Sequence, residues 1–121
     1  MKNLKVVTLI FLLQIAFFST KTVAQQLGYA CLYSKNLCGQ RVSSGKKLNC
    51  AALTAAHRTL KFGTVVRITN LDNNESVLVE INDRGPFTKK YLVDLTPAAA
   101  RRIGLNYGNG RVRIRLDIVI E

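Results

Sequence analysis

The chain has 121 residues, 48% of them hydrophobic, and carries 18 Lys and Arg against 7 Asp and Glu for a formal net charge of +11. A chain of this length supports one compact domain with one core. The charge directs it toward anionic partners: nucleic acid, acidic lipid or an acidic polysaccharide. One histidine and no Cys-x-x-Cys pair leave too few ligands for a zinc site, so neither a metal nor another cofactor is expected.

The first element is a targeting segment. Lys2 and Lys5 precede the uncharged, mostly apolar stretch Val6 to Phe18, then polar Ser19-Thr20-Lys21 and the small residues of Thr22-Val23-Ala24. This pattern reads as a signal peptide over residues 1–24, cut after Ala24. The apolar stretch is too short for a relaxed membrane span of about 20 residues, so no stable membrane insertion is expected after cleavage. The mature domain is 25–121, 97 residues. Loss of Lys2, Lys5 and Lys21 leaves 15 basic against 7 acidic residues, a net charge of +8. Export to the periplasm or the outside argues against nucleic acid as the natural partner. Because the basic residues are scattered, a merely cationic soluble surface explains the charge as well as a specific anion site does. A lipid anchor at Cys31 is not expected, since Gly28-Tyr29-Ala30 lacks the aliphatic position of such processing sites.

Leu27 to Ser34 reads as a first strand. Cys31, Cys38 and Cys50 follow within the first third of the mature chain, and one disulfide is expected in an oxidising compartment. Cys38–Cys50 is chosen because the Gly- and Lys-rich segment between them looks like a loop worth fixing; Cys31–Cys38 and Cys31–Cys50 stay open. Ala51 to Leu60 is ambiguous, with alanines that favour helix but β-runs on both sides. Gly63 to Asn70 and Ser76 to Ile81 flank the polar turn Leu71-Asp72-Asn73-Asn74-Glu75 and should form a hairpin. Tyr91 to Leu95 is a short apolar strand. Thr96 can cap a helix that starts at Pro97, runs through Ala98-Ala99-Ala100-Arg101-Arg102 and ends at Gly104. The last run, Arg111 to Ile120, alternates with Val112, Ile114, Leu116, Ile118 and Ile120 inward. Short strands separated by turn residues predict an all-β barrel or sandwich.

The segment Ile81-Asn82-Asp83-Arg84-Gly85-Pro86-Phe87 places a carboxylate where a strand ends. Val77, Val79 and Ile81 share one face, and continued alternation puts Asp83 with them at an apolar rim. Lost hydration there would raise the pKa of Asp83 and let it hold a proton. An isolated Asp-x-Gly-Pro is ordinarily a capped bend.

Four segments taken together resemble the domain of rare lipoprotein A, a bacterial cell-wall protein: Leu53 to Leu60, Phe62-Gly63-Thr64, Ile81 to Phe87, and Val93-Asp94-Leu95-Thr96 leading into Ala98-Ala99-Ala100. Gly28-Tyr29-Ala30 and Gly104 also match. The resemblance implies a mainly β fold, a six-stranded double-psi β-barrel with one or two short helices, in which Ala51 to His57 is mostly extended. It further implies a septal-ring type of endolytic lytic transglycosylase that cuts peptide-free peptidoglycan glycan strands and leaves 1,6-anhydromuramic ends, acting as a monomer, with other cell-wall or division proteins as further partners. By the same resemblance Asp83 is the catalytic acid and base, Asp94 a second carboxylate in the groove, and His57 an orienting or proton-shuttling residue.

Lys46 departs from the pattern, standing where the family has a glutamate, and a cation there should lower the pKa of a nearby Asp83. Lys46, Arg58 and Arg84 are candidate contacts for the lactyl carboxylates of stripped glycan, and Tyr33 or Tyr107 for stacking on sugar faces. Lys61 replaces a proline. No peptidoglycan-binding domain is expected after the barrel, so targeting falls to the barrel or to a partner. Two further readings stand beside the enzyme: a non-catalytic, expansin-like wall-binding module, which Lys46 favours, and a small secreted inhibitor or effector on the same barrel.

Overall fold

A computed structural model of the chain describes residues 25–120; the expected signal peptide lies outside them. The alternating runs become strands because each has one apolar face to bury: β1 (Gln25–Leu32), β2 (Thr54–Ala56), β3 (Val65–Asn70), β4 (Ser76–Asp83), β5 (Tyr91–Leu95) and β6 (Arg111–Ile120). They close into a barrel in the order β1-β5-β2-β4-β3-β6. The pairs β1/β5 and β2/β4 run parallel and the remaining four antiparallel. Among the described residues only β3 and β4 are both consecutive and paired, as the expected hairpin. Its turn places Asn74 at φ 62°, a left-handed conformation that asparagine tolerates.

The barrel interior is filled by Val66, Ile68, Val79, Ile81, Val93, Leu95, Ile114 and Leu116, each at most 1% exposed. Burying each such side chain contributes about 1.5–3 kcal/mol, so the interior is the main source of stability. The described residues hold a single α-helix, α1 (Pro97–Arg102), in which Thr96 Oγ1 accepts the Ala99 N–H at 3.3 Å and Pro97 occupies the first turn. Gly104 follows at φ +75°, where a side chain would be strained. Lys35–Leu37 adds one 3-10 turn.

Within the alanine-rich segment Thr54–Ala56 is extended, shorter than the expected Ala51 to His57, while Ala51 and Ala52 lie in a turn. Ala55 and Ala56 have ladder partners in both β4 and β5, and that two-sided pairing overrides their helical propensity. Outside the barrel, residues 33–50 fold back over β2. Tyr33 and Leu48 pack on Ala56, with Val42 and Cys50 beside them, in a small second apolar cluster. A Cys38–Cys50 disulfide, with Cα atoms 5.7 Å apart, closes this segment, and Cys31 is a free thiol.

Candidate functional site

The site begins with one extra residue in β4. Ala55 pairs with Ile81, but the next step pairs Ala56 with Asp83, so Asn82 is taken up in a bulge. Ala55 packs in the barrel interior and Ala56 in the outer cluster. Asp83 therefore lies on the outer side with Ala56, not with Ile81 on the apolar face as unbroken alternation predicts. On its other flank Ala56 pairs with Asp94 of β5. Two carboxylates thus bracket one alanine, two strand spacings apart, or roughly 10 Å between Cα atoms.

Asp83 is saturated with donors. The Tyr33 hydroxyl donates to Oδ2 at 2.6 Å, and the backbone N–H groups of Ser43 and Arg84 donate to Oδ1 at 2.8 Å each. Burial pushes the carboxyl up, but the hydrogen bonds from Tyr33, Ser43 and Arg84 outweigh it and the net shift is downward. The expected raised pKa is corrected for that reason: the apolar rim is real, and the donors on it favour the charged form. Lys46 is exposed and has no part in the shift. Tyr33 is 6% exposed with its ring against Leu48 and Ala56, so it supports Asp83 rather than offering a face to sugars. Burial, its bond to Asp83 and the charges of both carboxylates hold its hydroxyl protonated.

Asp94 is half-buried and differently placed. Cys31, its partner across the parallel β1/β5 ladder, donates its thiol proton to Asp94 Oδ1 at 2.8 Å. Burial raises the Asp94 carboxyl, the thiol bond lowers it, and the negative charge of Asp83 raises it further; the net shift is upward. Burial and Asp94 together push the Cys31 thiol up to about 12, so it acts only as a donor. Asp94 Oδ2 takes no hydrogen bond among the described residues and lies near Gly85. Gly85 has φ +122°, a turn conformation that a side chain would strain.

The His57 ring does not reach either carboxylate. Its Nδ1 accepts the N–H groups of Thr59 and Leu60 at 3.1 Å each, which leaves the proton on Nε2, 2.9 Å from Gln26 Oε1. Burial first, then the charges of Arg58 and Arg84, lowers its pKa to about 4, so the ring is neutral. Only its backbone meets the site, donating an N–H to the Asp83 carbonyl at 3.1 Å. Arg58 Nη1 donates to the carbonyls of Pro86 and Tyr91 at 2.9 and 2.6 Å, and Arg84 Nη1 to that of Leu60 at 2.7 Å. Both guanidiniums therefore brace the loops beside the groove. Tyr107 is exposed, with Lys35 Nζ 4.7 Å from its ring centroid. Sequence reasoning did not place Cys31, Ser43 or Gln26 in the site. Each acts through a partner distant in the chain, and only the Cys31–Asp94 register on parallel strands could have pointed to one of them.

The family model described as "Lytic transglycolase" matches residues 25–116. The chain belongs to this family. With its closed six-stranded barrel, it is a double-psi β-barrel of the rare lipoprotein A type. It is 51% identical over 92 residues to "Probable endolytic peptidoglycan transglycosylase RlpA" of Synechocystis sp., with 76% of this chain and 28% of that protein covered. It is 44% identical over 105 residues to "Endolytic peptidoglycan transglycosylase RlpA" of Pasteurella multocida, covering 82% and 36%. The chain thus spans about a third or less of the length of these relatives.

Among solved structures, a Streptomyces papain inhibitor superposes with TM-score 0.65 at 16% identity, covering 84% of this chain and 99% of that one. A point mutant of a Clavibacter michiganensis expansin, in complex with cellohexaose, superposes with TM-score 0.62 at 17% identity, covering 79% and 50%. At these identities the two structures share the fold only.

Proposed function

We propose that this protein is an exported endolytic lytic transglycosylase that cleaves peptide-free peptidoglycan glycan between N-acetylmuramic acid and N-acetylglucosamine. The observation that carries the reading is the pairing of two carboxylates with opposite shifts around Ala56: an ionised Asp83 and an Asp94 biased toward its protonated form. In this reading Asp94 is the proton donor, where the sequence alone favoured Asp83. It protonates the glycosidic oxygen as the bond to the muramyl C1 breaks. The Asp83 carboxylate faces the positive charge that develops at C1. The muramyl 6-hydroxyl then bonds to C1 and gives its proton to the Asp94 carboxylate, which restores the acid and leaves a 1,6-anhydro ring. No water is consumed. His57 acts here as a neutral brace that fixes the backbone beside Asp83.

The relatives named as peptidoglycan transglycosylases support this substrate class. The test is digestion of peptide-free glycan strands by the purified mature protein, followed by mass spectrometry. Anhydromuramic ends should appear with the wild type and be absent with Asp94→Asn.

The second reading, a non-cleaving glycan-binding module, rests on the donor saturation of Asp83, which suits a structural clamp. Retention of glycan by the wild type with no anhydro product would favour it.

A further inference from the structure

A second cleft, of about 340 Å³, opens where the end of β1 meets α1 and the loop after it, and neither Asp83 nor Asp94 lines it. That volume falls within the ~300–1,000 Å³ of small-ligand sites. Leu32, Pro97, Leu105 and Tyr107 give it an apolar floor. Its polar lining is limited to Lys35, Arg101 and Asn106, with no carboxylate among them. Lys35 and Arg101 are exposed, and neither forms an ion pair among the described residues. The Lys35 ammonium is nonetheless held, 4.7 Å from the Tyr107 ring centroid, and the Tyr107 hydroxyl donates to the Tyr33 carbonyl at 2.8 Å. Asn106 Oδ1 accepts the N–H groups of Gly108 and Asn109 at 2.8 and 3.0 Å. That fixes the amide and leaves its Nδ2, which has no partner among the described residues, as a donor. The cleft therefore presents donors and apolar surface but almost no side-chain acceptor.

This chemistry narrows the ligand. A sugar needs acceptors for its hydroxyl protons, and the wall supplies almost none. A fatty acid would leave the Asn106 amide unused. A peptide end brings a carboxylate, a carbonyl one residue back and a side chain, one for each part of the wall. We propose that the cleft captures the C-terminus of a partner polypeptide whose last residue is large and apolar. Lys35 and Arg101 hold the terminal carboxylate, Asn106 Nδ2 donates to the preceding carbonyl, and the last side chain lies against Leu32, Pro97 and the Tyr107 ring. The inference is independent of the glycan reading, because the cleft shares no residue with the acidic pair. It also gives part of the positive charge a partner other than the glycan.

The test is amide-shift NMR titration of the mature protein with N-acetyl-alanyl-leucine, its C-terminal amide and N-acetyl-alanyl-glycine. The leucine acid should move the amides of Lys35, Leu105, Asn106 and Tyr107 and bind about tenfold more tightly than its amide, as one charge-assisted bond warrants. The glycine peptide should bind about tenfold more weakly than the leucine acid, for want of the apolar side chain. Lys35→Gln and Arg101→Gln should each shrink the preference for acid over amide; both side chains are exposed, so these variants fold. Equal binding of acid and amide, or shifts that bypass this cleft, would overturn the proposal. Octanoate binding as tightly as the leucine acid would replace the polypeptide with a fatty acid. Tighter binding of N-acetylmuramic acid, with the same shifts, would return the cleft to the glycan.

Discussion

The two flanks of Ala56 carry the same functional group under opposite conditions. On the β4 flank, Asp83 meets three donors, two of them backbone amides that cannot turn away, and its charge is fixed in place. On the β5 flank, Asp94 meets one thiol and keeps an oxygen free. Burial acts on both, so burial alone does not decide which carboxyl holds a proton; the donors on each, and the charge of Asp83 acting on Asp94, do. The difference also separates two roles that a single acidic motif would merge. Asp83 ties residues 33–50 to the barrel through Tyr33 and Ser43, whereas Asp94 has almost no structural duty.

The sharpest way to break this contrast is to remove each carboxylate in turn. Asp94→Asn should reduce anhydro-product formation about 10²- to 10⁴-fold, the range for loss of a positioned acid–base group, with the unfolding midpoint unchanged or slightly raised. Asp83→Ala should lose stability first, by about 3 kcal/mol in denaturant titration, because the Tyr33 hydroxyl and two backbone N–H groups lose their acceptor. Equal stability losses in the two variants would end the division of labour.

Acid sharpens the comparison further. His57, at about 4, lies below its ordinary 6.5, so unfolding takes up a proton between these values. The stability of the neutral ring is complete above about pH 6.5 and is lost as pH falls toward 4. Asp83 is also shifted down, so its contribution is present above the ordinary carboxylate pKa and is lost as pH falls through its lower folded value. Thermal unfolding should therefore show a steady decline below pH 6.5 that His57→Gln flattens in its upper part. The smallest effect belongs to Cys31. The thiol bond lowers Asp94, so Cys31→Ala should move the alkaline limb of the activity profile to higher pH, and Cys31→Ser should bring it back.

The barrel was legible because period-two alternation survives in β3, β4 and β6, and because Thr96, Pro97 and Gly104 punctuate the helix. The acidic pair was legible as residue types in familiar surroundings. Its electrostatics were not. A bulge adds one residue without any compositional mark, so alternation counted through Asn82 turned Asp83 to the wrong side. The Ser43 amide and the Tyr33 hydroxyl lie 40 and 50 positions from Asp83, and the fold of residues 33–50 that delivers them has no period to read. Lys46 shows the same limit: its charge was evident, but not that it stands exposed and takes no part in the Asp83 shift.

The barrel interior and the smaller apolar cluster of Tyr33, Leu48 and Ala56 are separate sets, with the neighbouring residues Ala55 and Ala56 on either side. Neither residue of the acidic pair belongs to the interior set. Inheritance can therefore rewrite the outer face while the inner one stays constant. A substitution at Lys46, which is exposed, leaves the packing of the interior untouched. The same separation is compatible with a barrel shared with an inhibitor and an expansin at 16% and 17% identity, where the fold is held in common and little of the sequence is.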